Sequence, residues 1–423
     1  MKRYMSRIYD QVLRDRLDAT GAILIEGAKW CGKTSTAEQL AHSAVYMQDP
    51  KTRAQNLQLA ELNPSLLLQG GVPRLIDEWQ DAPSIWDAVR FEVDHRDEFG
   101  QFILTGSSVP IDLDALKHTG TGRIARMKMR TMSLLESEES TGSVSLRSLF
   151  QGDKPAARAQ EGDLRDLAFL TCRGGWPRAI GRTERVALRQ AIDYVDAVVE
   201  IDVSRVDDIK RNPSHTRMLL RSYARMISSQ GTLASMQQDL RAAGVDMSQS
   251  TFLEYVEALR KLFVIEDLAA WNPNLRSKTA IRTSATRHFC DPSIAAVALQ
   301  TGPEELLNDL ETFGLLFESM CIRDLRVYAD ALDGSVFHYR DKSGLESDAV
   351  IHLRNGDYGL VEIKLGGDRL IEEGAATLKT LAAKIDTTKM HEPAFLMVLT
   401  GTGDYSYLRE DGVLAVPIRA LGA

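Results

Sequence analysis

The residues whose types and spacing can do chemistry begin at Gly27-Ala28-Lys29-Trp30-Cys31-Gly32-Lys33-Thr34, followed by Ser35. They spell G-x-x-x-x-G-K-[ST], a loop that cradles phosphate. Glycines let the backbone turn its N–H groups toward an anion, and the start of a helix adds partial positive charge. Lys33 is placed to bridge the β- and γ-phosphates and Thr34 to hold Mg²⁺. The context fits. The apolar run Ala22–Glu26 reads as a strand before the loop, and Ser35–His42 reads as a helix after it.

Three further groups suit triphosphate chemistry. Val72-Pro-Arg-Leu-Ile-Asp77-Glu78 is a short apolar run ending in two acids, with Asp77 expected to hold Mg²⁺ through its water and Glu78 to polarise the attacking water. Gln101-Phe-Ile-Leu-Thr105-Gly-Ser107-Ser108 is a strand ending in hydroxyls, at the sheet edge where α/β proteins bind ligands. Thr105 or Ser107 is expected to sense the γ-phosphate or position water. Phosphoryl transfer also calls for a late positive charge, and Arg123 in Gly122-Arg123 is the candidate, acting within its own chain or across a subunit interface. A solvated charge on an amphipathic strand is the alternative.

These residues need a parallel sheet wrapped by helices, and short apolar strands separated by helical stretches over 1–150 read that way. The chain has 423 residues, enough for several domains, with 44% hydrophobic and 26% charged residues and a net charge of −8. That balance excludes a wholesale nucleic-acid coat, although not a local basic surface. Four scattered cysteines, Cys31, Cys172, Cys290 and Cys321, give neither a zinc ribbon nor a disulfide framework. No apolar leader or membrane-length run is present, so a cytoplasmic protein without a membrane partner is expected.

Four segments follow from the patterns: the P-loop α/β segment 1–150, a helical connection 151–228, a segment 229–304 and a last α/β segment 305–423. The polar stretch from Glu136 to Asp163 reads as loop. Helix Leu233–Ala243, a turn, helix Thr251–Leu262, strand Phe263–Leu268 and a long polar hairpin give winged-helix order. From Leu268 to Cys290 the stretch carries no acid, but does carry Arg276, Lys278, Arg282 and Arg287. Set on a wing, these would meet DNA phosphates without reading sequence; an internal scaffold is the alternative.

The landmarks GAKWCGKT, LIDEWQ, FILTGSS, Gly122-Arg123 and GGWPR at 174–178 together resemble the prokaryotic AAA-type ATPases that carry a C-terminal domain long catalogued as of unknown function. One stretch departs from that family: Thr131-Met-Ser-Leu-Leu-Glu136 has Thr where Pro is expected. The resemblance implies an ATPase joined to winged-helix and nuclease-like parts. In the last segment Glu318, Asp348 and Glu362-Ile-Lys364 are candidates for a PD-(D/E)xK core, with two carboxylates on Mg²⁺ and Lys364 near the attacking water. A hairpin centred on Gly356 would pair Asp348 with Lys364 and put Asp348 and Glu362 on one face. One centred between Asn355 and Gly356 would separate them. Cross-strand charge pairing would give the same sequence. The expected function is ATP hydrolysis with Mg²⁺, in a homo-oligomer, driving a DNA transaction. The alternatives are a signalling or toxin-like switch acting on protein partners, and an ATP-regulated nuclease.

Overall fold

A computed structural model gives the structure of residues 4–107, 120–207, 209–273, 284–388 and 390–423. Ser108 and the basic residues Arg276, Lys278 and Arg282 lie outside them. The chain forms two compact units whose boundaries cut across the four sequence segments. The first is Met1–Thr131 together with Glu200–Arg211 and Tyr255–Val264; the second is Met132–Val199, Asn212–Glu254 and Ile265–Ala423.

The first unit is a five-stranded sheet in the order β2-β3-β4-β1-β5. Its strands are β1 (Ala22–Glu26), β2 (Ser43–Tyr46), β3 (Arg74–Asp77), β4 (Phe102–Gly106) and β5 (Ile124–Lys128). Every pairing is parallel. Helices α1 (Ile8–Leu17), α2 (Lys33–Glu38), α3 (Arg53–Leu62) and α4 (Ser84–Arg96) complete the α/β fold expected. The largely apolar β1 and β4 sit inside the sheet, buried along nearly their whole length, as parallel strands with both faces covered must be. Strand β2 was not legible in sequence. It lies at the edge, its residues are exposed or half-buried, and Ser-Ala-Val-Tyr carries too little apolar signal. Strand β3 starts after Pro73, which has no N–H to give to a ladder, and so it reaches Asp77.

The second unit holds a six-stranded sheet ordered β11-β12-β10-β9-β8-β7. The strands are β7 (Gly334–Arg340), β8 (Glu346–Leu353), β9 (Tyr358–Lys364), β10 (Phe395–Thr400), β11 (Tyr407–Leu408) and β12 (Leu414–Pro417). β7, β8 and β9 are antiparallel neighbours, and β9 returns to a parallel β10 through helix Asp368–Lys384. The stretch expected as loop, from Glu136 to Asp163, is built into this unit. β6 (Val144–Ser145) pairs with β13 (Leu421–Gly422), and the helix Leu146–Phe150 follows β6. The elements are too short to show a period, and their pairing partner lies at the far end of the chain.

A buried ionic network ties distant segments of this unit together. Arg323, on helix Leu310–Asp330, meets Asp291 at 3.2 Å and Asp324 at 2.7 Å, and all three are almost wholly buried. Both carboxylates also accept backbone N–H groups. Asp324 Oδ2 takes Leu134 N at 2.9 Å and Asp291 Oδ2 takes Gly175 N at 2.9 Å. Gly175 packs so closely that a Cβ there would come within 2.1 Å of the Met132 carbonyl. The network therefore joins the Met132–Glu136 run to GGWPR.

Arg323→Ala strands two buried carboxylates, a loss that costs about 3–5 kcal/mol. A large fall in the denaturant midpoint of the second unit is expected; a wild-type midpoint would show that the network is not holding the unit.

Candidate functional site

The phosphate loop leaves β1 at its C-terminal end and enters α2. Gly27 (φ 153°) passes so near the chain just beyond β5 that a Cβ would lie 2.1 Å from the Met129 carbonyl. Gly32 (φ 107°) caps α2, and Trp30 takes a left-handed φ of 66° without being glycine. Such conformations cost about 1–3 kcal/mol for residues with side chains and persist where surroundings impose them. Lys33 Nζ donates to the Gly27 and Ala28 carbonyls at 2.9 Å each.

Register brings the acids to this loop. Asp77, the last residue of β3, pairs with Thr105 of β4. Thr34 and Thr105 both donate to Asp77 Oδ1, at 2.6 and 2.7 Å. Thr105 Oγ1 also accepts from the Glu78 amide at 3.2 Å. Ser107 donates to Glu78 Oε2 at 3.1 Å. Glu78 itself sits in the left-handed region at φ 55°. Thr34, Asp77, Glu78, Thr105 and Ser107 thus form one hydrogen-bonded set.

Arg123 is placed elsewhere. It precedes β5, accepts the Ala22 amide on its carbonyl at 3.1 Å, and bonds Asp94 at 2.7 Å. Ala22 is the first residue of β1 and Gly27 follows its last. At about 3.3 Å per residue, the sheet separates Arg123 from its own phosphate loop by more than 10 Å. The expectation that it acts within its own chain is corrected by strand direction; the interface role stays a proposal.

Two loop contacts escaped sequence reading. Arg7, buried ahead of α1, donates to the Cys31 carbonyl at 2.8 Å and to the Arg130 carbonyl at 2.9 Å. Lys29 Nζ meets Asp202 Oδ1 at 2.5 Å. Neither partner lies near the motif in sequence, so no local signal could reveal them. Cys31 is buried with its thiol on the Met129 carbonyl, and Ser35 lies in the first turn of α2.

In the second unit the β8–β9 hairpin takes a register different from both considered. Ala349 pairs with Val361 and His352 with Tyr358, so the turn centres on Asn355. By continuation Asp348 faces Glu362, and parity keeps them on one face. That face is not polar: Val350, Tyr358 and Leu360 share it and pack with helix Asp368–Lys384. Lys364 stands between the acids, 2.7 Å from Glu362 and 3.4 Å from Asp348, and Asp348 Oδ2 also accepts the Ile363 amide at 2.7 Å. Burial, with Asp348 adding to it, pushes Glu362 up to about 8. Glu318 is raised well above the usual range, by enclosure of its carboxyl group and then by Asp348. For Lys364 burial works downward, but the two carboxylates outweigh it and raise the ammonium. Among the described residues no three acidic, histidine or cysteine side chains lie close enough to share a metal. Glu318 nonetheless lies near enough to Asp348, Lys364 and Glu362 for their charges to act on it, and its part in a metal site stays a proposal. Glu362 Oε1 remains buried without a partner.

Arg287 does not face outward either. It is buried, bonded to Asp267 at 2.6 Å and to the Gly231 carbonyl at 2.7 Å, and is taken from the list of DNA contacts.

A parallel α/β sheet carrying a glycine loop with Lys33 and Thr34, beside an acid-tipped strand, defines a P-loop ATPase unit of AAA type. Comparison agrees: residues 19–138 match the family described as AAA domain. Residues 164–305 and 313–421 match two domains of unknown function, DUF8612 and DUF4143. The chain is 22% identical over 355 residues to the uncharacterized protein Rv2008c of Mycobacterium tuberculosis and, equally, to Mb2031c of Mycobacterium bovis, covering 83% of this chain and 72% of each relative. Among solved structures, the Walker-type ATPase PABY2304 of Pyrococcus abyssi is 13% identical, with a TM-score of 0.40, over 70% of this chain and 96% of that one. None of the described helices is long and apolar enough to cross a membrane.

Removing Arg7 leaves two carbonyls without their charged donor. A hydrogen bond to a charged group contributes about 1.5–3 kcal/mol, so loss of loop order is expected to weaken ATP binding in Arg7→Ala roughly tenfold or more. Titration calorimetry with ATP checks this; wild-type affinity would show that the loop holds its shape without Arg7.

Proposed function

We propose that this chain hydrolyses ATP and couples the turnover to a DNA transaction. The observation that carries the coupling is the composition of the nucleotide-binding unit. It includes Glu200–Arg211 and Tyr255–Val264, and the latter contains the second half of helix Gln249–Lys261. Within this unit, Lys29 of the phosphate loop is bonded to Asp202, and Arg211 lies over the Tyr255 ring at 5.6 Å. A change at the phosphates therefore has a short route into the helix that would form part of a winged helix.

ATP is the substrate. Lys33 would exchange its two loop carbonyls for phosphate oxygens. The donor set fits a hard cation: Thr34 and Asp77 already share one oxygen contact, and they would hold Mg²⁺, which supplies positive charge against the triphosphate. Glu78 accepts a proton from the attacking water as its oxygen bonds the γ-phosphorus. The bond to the β–γ bridging oxygen breaks, and its electron pair leaves on ADP. A homo-oligomer with Arg123 reaching a neighbour's site is part of this reading.

DNA contact falls to the basic stretch of sequence flanked by the Ile265–Phe289 and Leu268–Thr286 bridges. Residues 274–283 between them contain Arg276, Lys278 and Arg282 and no acid. Helix Gln249–Lys261, with Glu254 and Glu257, suits packing better than groove reading.

A second reading, a nuclease-type site at Asp348 and Glu362, is favoured by the buried Glu362 Oε1, which has no hydrogen-bond partner among the described residues. It requires Mg²⁺-dependent nicking of plasmid DNA by wild type and none by Glu362→Ala. Equal nicking by both would end that reading.

The decisive assay is steady-state ATP hydrolysis, alone and with single-stranded, duplex and four-way-junction DNA. Lys33→Ala should lose turnover. Glu78→Gln should bind ATP and hydrolyse it at least about tenfold more slowly, the scale of lost general-base catalysis. Salt-sensitive stimulation by one DNA form, lost when Arg276, Lys278 and Arg282 become Glu, is expected. Turnover indifferent to all three DNAs would favour a nucleotide switch acting on protein partners.

A further inference from the structure

Resting on the ATPase reading, we infer that Gln80 is a positioning residue for Glu78, holding one carboxylate oxygen so that the other is presented to the attacking water. Gln80 lies in the single turn Trp79–Asp81 that follows Glu78. Its side-chain Nε2 donates to Glu78 Oε2. A carboxylate can only accept here, so the partner must be the amide nitrogen, and the amide orientation is fixed by chemistry. Ser107 donates to the same Oε2 at 3.1 Å. Both donors thus converge on one oxygen, and among the described residues Glu78 Oε1 has no hydrogen-bond donor.

This asymmetry suits a general base. Donors on a carboxylate stabilise its charge and lower its basicity at the oxygen they occupy. With both on Oε2, the rotamer is fixed while the lone pairs of Oε1 stay open. The Glu78 backbone is held as well, by Thr105 Oγ1 on its amide and by Asp81 N on its carbonyl at 3.1 Å.

The amide of Gln80 is itself tightly set. Its Oε1 is buried and has no donor. A Cβ on Gly106, the last residue of β4, would stand 3.1 Å from that oxygen and 3.2 Å from Trp79 Nε1. Burying an unpaired carbonyl is unfavourable, so the arrangement is maintained by the donor bond to Glu78 and by the packing of Trp79, which is buried against Trp86 at 4.9 Å between ring centroids.

Gln80→Glu keeps the shape and removes the donor; Gln80→Ala removes the arm. Steady-state kinetics with ATP should show kcat reduced about tenfold or more in both, with KM within about twofold of wild type, because binding rests on Lys33 and the loop while general-base catalysis supplies 10²–10⁴-fold at most. In a Glu78→Gln background, Gln80→Ala should reduce kcat by less than about twofold, since the two act through one carboxylate. Wild-type kcat in Gln80→Glu overturns the assignment. So does a full additional tenfold loss in the Glu78→Gln background. A KM that rises in step with a fall in kcat also overturns it, because the residue would then only support the fold; thermal melts of each variant identify that case. Failure of the ATPase reading looks different: wild type and Lys33→Ala would then hydrolyse ATP equally little.

Discussion

The alignment of β3 with β4 is the constraint on which the nucleotide site depends. Because Asp77 pairs with Thr105, two residues far apart in sequence stand on neighbouring strand ends, close enough to hydrogen-bond. Thr34 then reaches the same carboxylate oxygen from the phosphate loop. A slip of one residue would turn every side chain of β3 to the opposite face and carry the Asp77 carboxylate away from Thr105 and Thr34. The apolar burial of Leu75, Ile76, Ile103 and Leu104 prevents the slip, since each such side chain contributes about 1.5–3 kcal/mol when removed from water. Core packing and the geometry of the acid and hydroxyl set are in this sense one constraint.

The phosphate loop is fixed from outside its own motif. Arg7 is a buried cation whose charge is met by carbonyl oxygens of Cys31 and Arg130, and Tyr4 adds a hydroxyl contact to Thr36 of α2 at 2.9 Å. On another flank Asp202 holds Lys29. Asp202 ends the π-helical turn Val198–Asp202, a geometry that occurs mostly as isolated turns and often at functional positions. A loop held at both its backbone and its lysine is preorganised.

The second unit relies on a different principle. Arg323, Asp291 and Asp324 are removed from water, and such a cluster contributes little net stability over an apolar one of equal volume. Its value lies in direction: each carboxylate also accepts a particular backbone amide, Asp324 that of Leu134 and Asp291 that of Gly175. This fixes which loop lies against the helix Leu310–Asp330. It also explains the Gly-Gly of GGWPR, because at Gly174 a Cβ would collide with Asp291 at 2.1 Å and at Gly175 with the Met132 carbonyl.

The sequence by itself determined the parts whose signal is local. The glycine loop, the apolar strands around it, the acids at Asp77 and Glu78 and the hydroxyl at Thr105 could all be read because motif spacing and apolar runs involve neighbours along the chain. Parity put Asp348 and Glu362 on one face for one of the two hairpin centres considered and on opposite faces for the other; the observed centre at Asn355 puts them on one face. Only the tertiary structure decided the rest, because it depends on strand direction and on partners hundreds of residues away. Parallel pairing of β1 with β5 put Arg123 at the wrong end of the sheet for its own site. Pairing of β6 with β13 turned an apparent linker into framework. The arms on the site, Arg7, Asp202 and Gln80, carry no pattern of their own. A lone charged or amide side chain looks the same in sequence whether it faces solvent or a buried carbonyl, and only the folded chain supplies the partner.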